Sequence, residues 1–392
     1  MTQIIMPKEP QLQVADILRN HIADYQKAYP LWTEHKKIVS DLLNCRTAKL
    51  GGQIERCDHC GTLRIVFHSC RNRHCPKCQH MPREQWLEKR KEEILPISYF
   101  HVVFTLPHEL NTIILNNKKL MFNILFAAAS KTLLSFGENE LNGTPGFLAI
   151  LHTWDQRLNA HFHLHCIIAG GVFSKDDKRW IACKNDYLFN QDALSLVFRG
   201  KFMQRMSDAI KKENLKFTGN TYQKLKNTLF NKKWVVSVRD PVKRPDDVLE
   251  YLARYTHRVA IANSRIKALK DGMVSFTAKN RKKNRTELIT ISAVEFIRRF
   301  LLHSLPKRFV KIRHYGFLAN RNRAKNLKTI RLLMGLATSD TKDIAPLEEM
   351  MQTLTGIDIT LCPCCNTGKM QFYAEIPTSR ARAPDSRLFV AA

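Results

Sequence analysis

Asn159-Ala160-His161-Phe162-His163-Leu164-His165-Cys166-Ile167-Ile168-Ala169-Gly170-Gly171 alternates histidine with apolar residues and closes on a glycine pair. At period two this is a β-strand with two different faces. Phe162, Leu164, Cys166 and Ile168 point one way and can bury against helices. His161, His163, His165 and Ile167 point the other way. Imidazoles repeated on one strand face make poor core and good metal ligands. Neighbours two apart on a strand face are about 6.6–6.8 Å apart, so two rings can converge on one ion, whereas His161 and His165 would be about 13 Å apart. The pair is therefore His161/His163 or His163/His165. A third ligand must come from another element, and His152 and Gln156 are nearest in sequence.

Outward from this strand, apolar and aromatic runs at Phe147–Thr153, Tyr99–Leu106 and Trp234–Val238 read as further strands. Met273–Phe276 and Leu288–Ile291 read as a hairpin. Helical spacing marks two helices within 11–46, a charged helix opened by Pro82, a long apolar helix over about 118–135, and basic helices near 192–213 and 219–231. The pattern implies an α+β fold with helices laid on one face of an antiparallel sheet.

The chain of 392 residues carries a net charge of +28, an excess that usually serves a polyanion. Nucleic acid is the first candidate and an anionic membrane surface the second. No apolar run looks long enough to span a bilayer, and Met1–Glu9 lacks the pattern of a signal peptide. A cytoplasmic protein that does not engage membranes is expected. Clustering of the 11 cysteines in Cys-x-x-Cys pairs then indicates reduced, metal-binding thiols.

Cys57-x-x-Cys60 and Cys75-x-x-Cys78 put two thiolate pairs on tight turns, which suits a closed structural Zn²⁺ site. Cys70, His68 and His74 lie between the pairs and could replace one ligand. The site either presents the surrounding arginines to DNA or staples a subdomain with little core. Cys362-Pro363-Cys364-Cys365 holds a lone pair that needs partners from elsewhere in the chain.

Two features bear on chemistry. Between Lys279 and Lys325 stand fourteen Lys or Arg residues against only Glu287 and Glu295, a bias that reads as a phosphate-binding surface centred on Arg281, Lys282, Lys283 and Arg285. Pro245 opens a helix with acids at its start and Arg254, His257 and Arg258 at its end. Tyr251 and Tyr255 share a face of it, four residues apart. They are packing residues on the helix alone. Beside a two-histidine metal strand and a basic surface they are candidate nucleophiles for single-strand DNA cleavage.

At these residues the chain resembles the two-tyrosine HUH (histidine–hydrophobe–histidine) transposases of the insertion-sequence 91 family. The likeness runs through the zinc block, Phe100–Pro107, Leu151–Gln156, His161–Gly171, Tyr251–Arg265, Glu295–Leu302, Phe309–Asn320 and Cys362–Cys365. It implies that His163 and His165 hold a catalytic Mg²⁺ or Mn²⁺ and that Tyr251 and Tyr255 are the nucleophiles. The implied partners are single-stranded element ends and target DNA. Proline is commoner in the family where this chain has Phe162, so His161-Phe162-His163 stays formally open. The expected organisation is an N-terminal helical and four-cysteine zinc-binding domain over 1–95, an antiparallel-sheet HUH nuclease domain over 96–335, and a C-terminal segment over 336–392. Rival readings are a relaxase or replication initiator of the same chemistry, and a non-catalytic zinc-dependent DNA-binding protein.

Overall fold

The computed structural model describes residues 4–5, 12–91, 93–176, 179–184, 188–215, 217, 221–244, 247–248, 260–280, 283–337 and 345–378. The chain divides into two compact units: 83–260 with 299–341, and 1–82 with 261–298 and 342–392. The stretch 261–298 belongs to the second of these units, where the Val14 amide donates to Asn263 Oδ1 at 3.2 Å.

The unit containing the histidine strand is built on one antiparallel sheet. Its strands are β4 (Tyr99–Thr105), β5 (Gly143–Trp154), β6 (Ala160–Ser174), β7 (Trp180–Ala182), β8 (Val235–Val242) and β12 (Ile312–Gly316), in the order β12-β5-β6-β4-β8, with β7 on the far part of β6. The histidine strand is central, flanked by β5 and β4. Pro241, which cannot donate to a ladder, lies in the edge strand β8.

The alternation seen in sequence sets the two faces. Phe162, Leu164, Cys166 and Ile168 of β6, with Phe100, Val102 and Phe104 of β4 and Phe147, Ala149 and Leu151 of β5, enter the larger core. Helices α5 (Lys118–Glu140) and α6 (Gln191–Lys211) cover this face, and α4 (Asn111–Asn116) and α7 (Thr221–Asn231) pack beside them. Among the described residues, α5 is long and apolar enough to cross a membrane, more than the sequence suggested. Its Met121, Phe122, Leu125, Phe126, Ala128, Ala129 and Leu133 are buried in this core instead. The opposite face carries Leu148, Ile150, Ile167 and Ala169, met by Leu87 of α3 (His80–Lys91) and by Leu327 and Ile330 of α9 (Arg323–Leu333). A smaller second layer therefore joins the expected one.

The other unit holds α1 (Val14–Ala28) and α2 (Thr33–Asn44), whose buried stripes are Val14, Ile17, Leu18 and Tyr25, and Ile38, Val39 and Leu42. A four-stranded sheet joins β1 (Ile4–Ile5), β3 (Leu63–Phe67), β2 (Gly52–Cys57) and β13 (Met370–Ile376) in that order. A meander of β9 (Ile266–Lys270), β10 (Met273–Asn280) and β11 (Arg285–Ser292) contains the expected hairpin. Phe296 of α8 (Ala293–Leu302) packs on Phe276 of β10, and α10 (Leu347–Thr355) ends at Gly356.

Candidate active site

Four histidines meet on the sheet face opposite α5 and α6. His163 and His165 come from β6, His152 from β5 directly across from His163, and His101 from β4. Period two puts His152 in line with Leu148 and Ile150, and His101 in line with Tyr99, so all four side chains emerge on one face. They are nearly closed to solvent: His101 1%, His152 6%, His163 8% and His165 6% exposed.

One ligand nitrogen from each of His152, His163 and His165 lies within 4.8 Å of the others. The Nε2 atoms of His163 and His165 are 3.0 Å apart. His163 Nδ1 lies 2.9 Å from the carbonyl oxygen of His161. A carbonyl can only accept, so Nδ1 carries a proton, and in the neutral ring Nε2 keeps its lone pair. His165 Nδ1 lies 2.8 Å from His101 Nε2, and the two rings stack with centroids 5.0 Å apart. This holds the His165 ring so that its other nitrogen faces His163. Of the two pairings left open, the structure brings together His163/His165, with His152 as the third member, while the His161 side chain is exposed. His101 escaped the sequence reading. Its only signal was a lone imidazole in the aromatic, β-branched run Tyr99–Leu106.

The Val248 amide donates to the Arg244 carbonyl at 3.1 Å, near the expected start of the helix. Tyr251 and Tyr255 fall outside the described residues, as do Arg281 and Lys282. Lys283 and Arg285 are exposed at the β10–β11 turn, where Arg285 Nε lies 3.4 Å from Glu287.

The cysteines correct the expected zinc site. Cys57 and Cys60 do not share a cluster with Cys75 and Cys78. One group is Cys45, Cys70, Cys75 and Cys78; a second is Cys57, Cys60, Cys362 and Cys365. The reason is the hairpin between the pairs. Cys57–Cys60 sits at the β2–β3 turn, and the five residues of β3 carry the chain back by about 17 Å at roughly 3.4 Å per residue. Cys75 and Cys78 therefore lie toward the other end, with Cys70 and with Cys45 from the end of α2. Sγ separations there are 3.4 Å for Cys45–Cys78 and 3.6 Å for both Cys70–Cys78 and Cys45–Cys75. Tetrahedral Zn–S bonds of about 2.3 Å place sulfurs about 3.8 Å apart, so this donor set fits a structural zinc.

A family model described as "Putative transposase" matches residues 146–326, across the histidine strand and the basic segment. A "Transposase zinc-binding domain" model of the insertion-sequence 91 type matches residues 17–106. The chain is 42% identical over 373 residues to "Putative transposase y4qJ" of Sinorhizobium fredii (strain NBRC 101917 / NGR234), covering 91% of this chain and 94% of that protein. It is 25% identical over 354 residues to "Transposase for insertion sequence element IS801" of Pseudomonas savastanoi pv. phaseolicola, covering 86% of this chain and 83% of the relative.

Proposed function

The chain belongs to the insertion-sequence 91 family of transposases, and from that premise we propose that it cleaves and rejoins single-stranded DNA at the ends of its element through a 5′-phosphotyrosine link. The observation that carries this reading is the convergence of His152, His163 and His165 on one face of the central strands. An Nε2–Nε2 separation of 3.0 Å is the spacing that two bonds of about 2.1 Å make at a right angle, as in the octahedral shell of Mg²⁺ or Mn²⁺. Such an ion would polarise the scissile phosphate. Imidazole favours Mn²⁺ over Mg²⁺, and water and phosphate oxygens would fill the remaining positions.

Tyr251 and Tyr255 are the nucleophiles in this reading. The phenolic oxygen of one bonds to phosphorus, its proton passes to solvent, and the bond to the 3′ oxygen breaks. The 3′ oxygen leaves with a proton as a free 3′-hydroxyl, and the 5′ phosphate stays on tyrosine. Attack by a 3′-hydroxyl on that ester restores the phenol and joins a new strand with no outside energy source. Two tyrosines let a second cleavage proceed while the first is still esterified. His163 and His165 would hold the ion, and His161 O and the His101 ring orient them.

The test is a denaturation-resistant protein–DNA adduct formed with single-stranded oligonucleotides of the element's end and Mn²⁺. We expect it in the native protein and at least about a hundredfold less in His163→Ala and in the double variant Tyr251→Phe, Tyr255→Phe. Adduct formation at the native level by the double variant would sink the nucleophile assignment.

A further inference from the structure

We propose that Cys57, Cys60, Cys362 and Cys365 hold a second structural Zn²⁺, which fastens the C-terminal strand β13 onto the hairpin β2–β3. The matched zinc-binding domain ends at residue 106, so half of this donor set lies more than 250 residues beyond it. All four sulfurs lie within 4.8 Å of one another. The two contacts joining the distant pairs, Cys57–Cys365 and Cys60–Cys362, are both 3.7 Å. That is the edge of a ZnS₄ tetrahedron, about 3.8 Å, and far above the roughly 2.05 Å of a disulfide.

The backbone around each pair is built alike. The Cys57 amide donates to the Thr62 carbonyl at 2.9 Å, and the Cys362 amide to the Gly368 carbonyl at 2.8 Å. Gly61 N donates to Cys57 O at 3.2 Å, and Asn366 N to Cys362 O at 2.9 Å. These bonds make two tight Cys-x-x-Cys turns of one design, with Gly61 and Asn366 both at positive φ. Amides also point at sulfur. Cys60 N lies 3.4 Å from Cys57 Sγ, Cys364 N 3.4 Å from Cys362 Sγ, and Gly368 N 3.3 Å from Cys365 Sγ. A donor aimed at sulfur favours the thiolate, the form that binds metal.

The turns are also fitted to each other. A Cβ on Gly368 would sit 2.5 Å from Cys57 Sγ and 2.6 Å from His59 Cβ, so only glycine lets the second turn approach the first. Asp58 N donates to Lys369 O at 3.1 Å, and Lys369 N to Asp58 Oδ1 at 2.8 Å. From Met370↔Cys57 the ladder runs on to Ile376↔Gly52. Cys57 and Cys362 are buried, whereas Cys60 and Cys364 are exposed.

Elemental analysis of the purified full-length protein should find two zinc ions per chain. Cys362→Ser with Cys365→Ser should leave one, and Cys364→Ser should leave two. One zinc in the native protein, or two in the double variant, overturns the proposal. The unsubstituted protein gives a second readout that does not depend on how variants fold. With iodoacetamide, exposed Cys60 should be alkylated at least tenfold more slowly than Cys364 until a strong chelator is added. Equal rates before chelation overturn the proposal.

Discussion

His165 presents Nε2 to the cluster only because its Nδ1 is engaged by His101 at 2.8 Å. His101 is itself buried beside the strand ladder, so it has no solvent position to retreat to. A metal ligand loses about 10–100-fold in affinity when such a supporting partner is removed. His101→Phe, close in size and without a ring nitrogen, should therefore weaken Mn²⁺ binding by that factor, measured by calorimetry. His101→Gln, which keeps a hydrogen-bonding group, should recover part of it. Thermal unfolding of both variants should stay near native. An equal loss of metal affinity in Phe and Gln variants would show that packing, not the hydrogen bond, is what His101 supplies. That His163 belongs to the pair was readable from alternation, because period two is a property of every strand. Choosing between His161 and His165 was not, because which strand lies opposite, and where, is a long-range fact.

At the level of elements, the central strands and the edge strand β8 were legible, and the opposite edge, β12, was not. β4, β5 and β6 are buried on both faces, so they appear as long apolar runs. β12, by contrast, is the short Ile312-Arg313-His314-Tyr315-Gly316, whose residues are all half-buried. No alternation marks it. Its position depends on glycine: Gly316 faces Gly146 in register and has φ +62, and a Cβ there would lie 1.6 Å from the Pro145 carbonyl oxygen. Left-handed backbone alone costs a non-glycine residue about 1–2 kcal/mol, and here the neighbour is rigid main chain. Gly316→Ala should lose at least about 2 kcal/mol, read as a lowered denaturant midpoint with unchanged slope. Gly200→Ala, in helix α6 with open space around it, should be neutral or slightly stabilising. The same reasoning explains the cysteines. A Cys-x-x-Cys pair is visible as a turn, but its partner is set by what a hairpin carries away and what a distant strand brings back.

Across the whole molecule, the net charge of +28 pointed to a polyanion. What composition could not reveal is that the basic stretch 279–325 is divided between the two units. Residues up to Arg298 fold with the chain ends, and those after it fold with the histidine sheet. Part of the charge is already committed to the fold. Arg298 pairs with Glu295, Arg323 with Glu93, and the Arg313 guanidinium lies 4.1 Å from the Phe126 ring centroid. The β10–β11 turn is different, since Lys283 and Arg285 are exposed there with Glu287 as the neighbouring acid. If DNA runs over this turn, each neutralised phosphate releases a counterion, and the slope of log K against log salt is about −0.7 per contact on a single strand. Removing Lys282 and Lys283 together should make that slope shallower by about 1.4, with affinity falling alike for all sequences. The measurement is a salt titration of binding to a single-stranded oligonucleotide of the element's end, native against Lys282→Ala, Lys283→Ala. An unchanged slope would place the strand elsewhere, and a loss confined to one sequence would mean that the turn reads bases rather than phosphates.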